Sequence, residues 1–201
     1  MKEELIRLLQ YRTAEGAMGP SALRNQGNCG VLAAARHFLK AIDLFKFSVT
    51  TERKFNSVLD TYTNNLKVSF PKGARHWGAA RKALNLYLRD VLYNRYLTRH
   101  FGFRKIEKWL EVPLDSYAAK AIRKGFGIKE LPPWKGVKYL TPETSQAYQE
   151  AAKRLASKGG FARVHLDVLY WRGVGKDSKL ANPSLHRTQK KRAPVTLTLT
   201  V

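Results

Sequence analysis

The sequence predicts an all-α fold, and three observations predict it. Apolar residues recur at three- and four-residue spacing over most of the 201-residue chain. Gly and Pro gather mainly at the ends of these runs. The single stretch that alternates like a strand, Val195-Thr196-Leu197-Thr198-Leu199, falls near the C-terminus and outside the main body.

Taken in order, Val31, Ala35, Phe38, Ile42 and Phe45 form a first helical stripe, and Phe55, Val58, Leu59, Tyr62 and Leu66 a second, with Thr50 or Thr51 as its N-cap. A third run covers roughly residues 74–100, with Trp77, Ala80, Leu84, Leu88 and Val91 toward the core. Pro113 disfavours helix before it, and Asp115 can cap the helix that follows, which should stop at Gly125. Thr141-Pro142 opens another helix, closed by Lys158-Gly159-Gly160. A short helix from about Arg163 to Trp171 ends the helical domain, residues 1–172. Residues 173–201, rich in Gly, Ser, Asn and Pro and carrying Lys190-Lys191-Arg192, read as a flexible basic tail.

Charge narrows the partner. The 37 Lys and Arg against 15 Asp and Glu leave +22, a self-repulsion normally offset by a polyanion, for which nucleic acid leads. The tail from Arg172 carries seven of these cations and one Asp, so most of the excess lies in the helical domain. One cysteine, Cys29, excludes an internal disulfide framework, a four-cysteine iron-sulfur cluster and a zinc finger, and fits a reducing compartment. The opening Met1-Lys2-Glu3-Glu4 does not resemble a signal peptide, and no stretch reaches the roughly 20 apolar residues of a bilayer span. The expected setting is cytoplasmic, at the nucleoid or wherever the DNA lies.

At 100° per residue, Arg75, Lys82, Leu86, Arg89 and Tyr93 share the side of the third helix opposite its core stripe. The plain reading is a solvated face that touches phosphates. The sharper one makes Lys82 a nucleophile, its amine deprotonated by burial or by cationic neighbours such as Arg81 and Arg89. Asp115 is a good helix cap and also a carboxylate held rigidly at a positive helix end. Asp167 and Trp171, four apart, share a helical face. Ser21-Ala22-Leu23-Arg24-Asn25-Gln26-Gly27-Asn28 suits hydrogen bonding to a base or to backbone, with a polar turn as its alternative. Lys120, Arg123 and Lys124 end the helix after Asp115 with cations suited to phosphates or to solvent. His165 reads as a core histidine, with support of a neighbouring site residue as the alternative.

The segment Gly73-Ala74-Arg75-His76-Trp77-Gly78-Ala79-Ala80-Arg81-Lys82, followed 33 positions after Lys82 by the Asp of Val112-Pro113-Leu114-Asp115, resembles the helix-hairpin-helix superfamily of DNA glycosylases. There a Gly-rich hairpin leads into a helix bearing a catalytic Lys, and a Pro-Val-Asp-like segment supplies a catalytic Asp. The later Val164-His165-Leu166-Asp167-Val168-Leu169-Tyr170-Trp171 is most similar to the archaeal 8-oxoguanine DNA glycosylase/AP lyase branch. The match spans roughly residues 73–172. Two features depart from the pattern: His76-Trp77-Gly78-Ala79-Ala80 stands where the family has Leu-Pro-Gly-x-Gly, and Leu86 stands where that branch places an aromatic against the base.

The resemblance implies a helix-hairpin-helix glycosylase-like fold and a monomer that excises a damaged base, such as 8-oxoguanine, from duplex DNA without metal or cofactor. It makes Lys82 and Asp115 catalytic and Asp167, Trp171, Gln26 and Leu86 base-binding, with Arg75, Arg81, Arg89, Lys120, Arg123 and Lys124 contacting DNA. Two rivals stand beside it. One is a non-catalytic basic helical nucleic-acid-binding protein. The other is a metal-dependent nuclease built on Asp43 and Glu52-Arg53-Lys54, residues that sit in helical pattern where such sites normally use strands.

Overall fold

A computed structural model describes residues 2–26 and 30–170, and within them every regular element is a helix. The eight α-helices are α1 (Lys2–Ala17), α2 (Val31–Lys40), α3 (Glu52–Ser69), α4 (Trp77–Tyr93), α5 (Arg95–His100), α6 (Ser116–Phe126), α7 (Pro142–Lys158) and α8 (Leu166–Tyr170). Short 3₁₀ turns link several of them. Trp171, the tail and the strand-like 195–199 lie outside the described residues.

Local chemistry accounts for most boundaries. The Thr51 hydroxyl accepts from the Lys54 amide at 3.3 Å and starts α3, and Thr141 with Pro142 at the first position starts α7. Asp115 caps α6 through two hydrogen bonds, from the amides of Tyr117 and Ala118, both 2.9 Å long and both to Oδ1. This helix runs one residue past the expected stop at Gly125, to Phe126, and the left-handed φ of Gly127 (137°) follows it.

Two expectations need correction, and one helix is added. The stripe from Val31 to Phe45 is not one helix: α2 ends at Lys40, and Asp43 caps a 3₁₀ turn over Leu44–Phe47. That turn buries Leu44 and Phe47 and leaves Phe45 55% exposed. The run over 74–100 is broken by Asn94, whose Oδ1 accepts from the amides of Tyr96 and Leu97 and starts α5 in a new direction. It also begins later than expected, so Arg75 precedes the helix. Finally, α1 forms where no stripe stood out, because its buried positions are only Ile6, Ala14 and Ala17.

Two apolar clusters fill the interior. One gathers α1 to α5, the other α6, α7 and the start of α8. α4 packs on α1, α2, α3 and α5 and also touches α7. The chain crosses between the clusters at residues 109–115, and that crossing is fixed by polar contacts. Arg163, 4% exposed, donates to the carbonyls of Trp109 (2.8 Å) and Leu110 (3.1 Å). The Gln149 amide brackets Val112, accepting from its N–H at 3.0 Å and donating to its carbonyl at 2.8 Å. Satisfied buried groups of this kind hold a segment in one place. Here they set the position from which Asp115 starts α6.

Candidate active site

Between the two clusters runs a cleft with two lobes, of about 530 and about 570 Å³, which meet at Ser21, Lys82, Asp115 and Asp167. Four separate elements deliver these groups: the loop after α1, the middle of α4, the N-cap of α6, and α8. Lys82 and Asp115, 33 positions apart in sequence, line both lobes.

Lys82 is half-buried, and among the described residues no ion pair or hydrogen bond holds its amine. Burial depresses its pKa below that of an ordinary lysine. The carboxylates of Asp115 and Asp167 pull the other way without overcoming burial, and the Arg89 guanidinium adds to the depression. At any given pH such an amine is neutral more often than that of an ordinary lysine, and the neutral form is the nucleophile.

Asp167, 8% exposed, is ion-paired with Arg89, which also reaches Asp90 at 2.7 Å. Burial pushes Asp167 above the usual carboxylate range against the pull of Arg89. For Arg89, burial opposes the charge, but Asp167 and Asp90 outweigh it and hold its proton more tightly. Arg89, expected to contact DNA, thus lines one lobe of the cleft with its charge compensated by these two carboxylates. Leu86 and Tyr93 line the same lobe, so four of the five residues expected to share a face of α4 do so. The fifth, Arg75, is exposed in the connection before α4, where its Nε donates to the Phe70 carbonyl at 3.0 Å.

Arg81 overturns its expected role. It is 7% exposed and is held by Asp60, by Thr63 Oγ1 at 2.9 Å and by Glu111 at 3.2 Å, with its guanidinium 4.8 Å from the Trp77 ring centre. It ties α4 to α3 and the crossing segment, so the guanidinium expected to meet DNA is already satisfied inside the protein, and Arg81 is not among the charges that shift Lys82. His165 is likewise no core histidine: half-buried, it accepts from or donates to Tyr93 Oη at 2.8 Å and bonds Glu107 at 2.8 Å.

Gln26 lies in the first lobe and is 8% exposed. Its amide nitrogen donates to the Arg24 carbonyl at 3.1 Å, while its buried Oε1 has no partner among the described residues. An unmet acceptor in such a place is suited to a ligand's N–H. Lys120 and Lys124 are exposed on α6 and do not line the cleft; Arg123 is bonded to the Ile128 carbonyl at 2.9 Å.

Residues that pattern reading passed over complete the first lobe: Lys135, Lys138, Tyr139 and Tyr117 at its rim, and Tyr170 of α8. Tyr117 and Tyr139 are 57% and 63% exposed, large aromatics beside cations at the mouth of a cleft. The signal available for them was Trp134-Lys135-Gly136-Val137-Lys138-Tyr139, where lysines and aromatics interleave around a glycine. This loop reaches the cleft because Gly78 lets it lie on α4: a Cβ there would collide with the Val137 carbonyl and come within 2.6 Å of Leu140 Cβ.

The nuclease residues have other work. Asp43 caps its 3₁₀ turn, Glu52 pairs with Lys153 at 3.3 Å, and among the described residues no group of three His, Cys, Asp or Glu stands ready for a metal. Nor, among the described residues, is any helix long and apolar enough to cross a membrane. The chain matches no family model, no curated protein and no solved structure.

Proposed function

We propose that this protein is a DNA glycosylase with AP lyase activity that removes a damaged base through a Schiff base on Lys82, with 8-oxoguanine the first lesion to test. The observation that carries this reading is the amine of Lys82, without an ion pair or hydrogen bond among the described residues and with its pKa lowered by burial, in a basic cleft also lined by Asp115, whose carboxylate caps α6. A glycosylase takes its target nucleotide out of the stack at a cost of a few kcal/mol and holds the base in a pocket. A cleft of about 530 Å³ with exposed tyrosines and lysines at its rim suits that task.

In the proposed reaction the Lys82 lone pair attacks C1′ of the sugar. The bond from C1′ to the base breaks, and its electron pair leaves with the base, which takes up a proton. Asp115 accepts a proton from the attacking amine and offsets positive charge developing on the sugar. Opening of the sugar ring gives a protonated Schiff base. Loss of a proton from C2′ then expels the 3′ phosphate and cleaves the strand. Asp167 and Gln26 present hydrogen-bonding groups to the base edge, and Leu86 an apolar contact. Asp115 can act while capping α6, since both cap bonds end on Oδ1.

The test is sodium borohydride trapping on duplex oligonucleotides, each carrying a single modified base. The reading expects a covalent protein–DNA adduct with at least one lesion, insensitive to EDTA. Tight binding with no adduct on any lesion would favour the non-catalytic binder, and magnesium-dependent cleavage without an adduct would favour the nuclease.

A further inference from the structure

Beyond the cleft, on the far side of Tyr93, lies a cavity of about 700 Å³ that the chemistry above does not use. Its positive wall is built by α5 and the turn after it. Asn94 redirects the chain out of α4, and Arg95 and Arg99, four apart, then share one face with Thr98 beside them. Arg104 faces them from the turn Phe103–Lys105.

Three features of this wall point to an oxyanion. No carboxylate is paired with Arg95 or Arg99 among the described residues, and Arg104 reaches Glu107 only at 3.5 Å with 79% of its side chain exposed. Glu107 cannot neutralise the wall alone, because its Oε1 is bonded to His165 Nε2, while His165 Nδ1 is bonded to Tyr93 Oη. Thr98 is 7% exposed, and its Oγ1 has no hydrogen-bond partner among the described residues. A buried hydroxyl left unpaired is destabilising, and a ligand oxygen can supply the missing bond. Guanidinium forks match phosphate oxygens better than any other side chain does.

We propose that this cavity is a phosphate subsite that holds a phosphodiester of the same nucleic-acid strand whose base enters the Lys82 cleft. Tyr93 lines both spaces, so a strand can run from one to the other past a single ring. That ring is fixed, stacked on His165 at 5.6 Å between centres and anchored through its hydroxyl. Along α4, Lys82 and Tyr93 are separated by ~16 Å, at 1.5 Å per residue. This is ~5 phosphates of one B-form strand at 3.4 Å each, within the footprint of one bound duplex. The inference rests on the cleft being a nucleic-acid site, and not on which lesion is cut or whether any is.

The test measures affinity of the full chain for a duplex carrying a stable abasic-site analogue, across a salt series. Arg95→Gln/Arg99→Gln should bind roughly ten-fold more weakly at 0.1 M salt and lose about one unit of the log–log salt slope, the share of one phosphate. Arg53→Gln/Lys54→Gln removes the same charge from residues that line neither space and should change the slope by much less. Thr98→Val gives a signature that a structural threonine would not: melting temperature unchanged or higher, because an unmet hydroxyl is gone, together with weaker DNA binding. Equal losses in the two double variants, or wild-type affinity in both Arg95→Gln/Arg99→Gln and Thr98→Val, would overturn the subsite. If no lesion gives a borohydride adduct while these variants still lower the salt slope, the subsite stands and the repair reading falls. If adducts form and the variants bind like wild type, the subsite alone falls.

Discussion

Arg81 and Lys82 are adjacent on α4, and they have opposite fates. Arg81 turns inward to two carboxylates, a threonine hydroxyl and the face of Trp77, so its charge is compensated inside the protein. Lys82 turns into the cleft, loses solvent, and meets no partner among the described residues, although two carboxylates line the same space. A buried cation that is fully paired holds a fold together. One that loses solvent without a partner shifts its protonation, and such shifted groups concentrate at reactive sites. Sequence position alone does not separate the two, since both are cations on one helix beside small residues.

The contrast can be broken or sharpened by mutation. The largest effect is expected for Lys82→Gln, which should lower strand cleavage by roughly a million-fold or to below detection, as when a covalent catalyst loses its nucleophile. DNA affinity should stay within a few-fold of wild type, as measured by anisotropy. Asp115→Asn comes next. Asn is as good a cap as Asp, so melting should barely change, while single-turnover rates should fall by about two to four decades. A wild-type rate would reduce Asp115 to its cap.

Arg81→Gln should do the reverse. It leaves the buried Glu111, whose remaining partner is Asn85 Nδ2 at 2.8 Å, without its cation. Stripping one partner from a buried pair costs about 3–5 kcal/mol. Denaturant titration should show that loss, with chemistry per folded molecule unchanged. Gly78→Ala should cost about 1–3 kcal/mol through overpacking against Val137 and Leu140, and should also weaken activity by displacing Lys138 and Tyr139 from the rim.

The smallest effect concerns pH. With Lys82 depressed, the rate should rise with pH and level off below the 10.5 of an ordinary lysine. Asp167 holds the Lys82 pKa up, and it also compensates Arg89, which pushes that pKa down. Asp167→Asn removes both restraints in the same direction, so the rising limb should move to lower pH. A limb moved to higher pH would contradict the assigned electrostatics.

The helical character of the chain was legible in the sequence because stripes such as Phe55, Leu59 and Leu66 report burial directly, and all three are fully buried. Caps were legible for the same local reason, as at Thr51, Asp115 and Thr141. The shared cleft wall of Lys82, Leu86, Arg89 and Tyr93 followed from helical periodicity. What remained hidden depends on partners distant in sequence. Arg81 is buried by Asp60 and Glu111, which lie 21 and 30 positions away. Phe45 is turned out by the Asp43 cap, and Lys135 to Tyr139 reach the cleft only because α4 has no side chain at Gly78. Periodicity gives the face of a helix; it does not give what the rest of the chain lays against that face.

The most direct test of the account is peptide mapping of the borohydride-trapped adduct by mass spectrometry. The account predicts a reduced sugar remnant on the Nζ of Lys82 and no adduct from Lys82→Gln. A remnant on any other amine, or an undiminished adduct in Lys82→Gln, would contradict it.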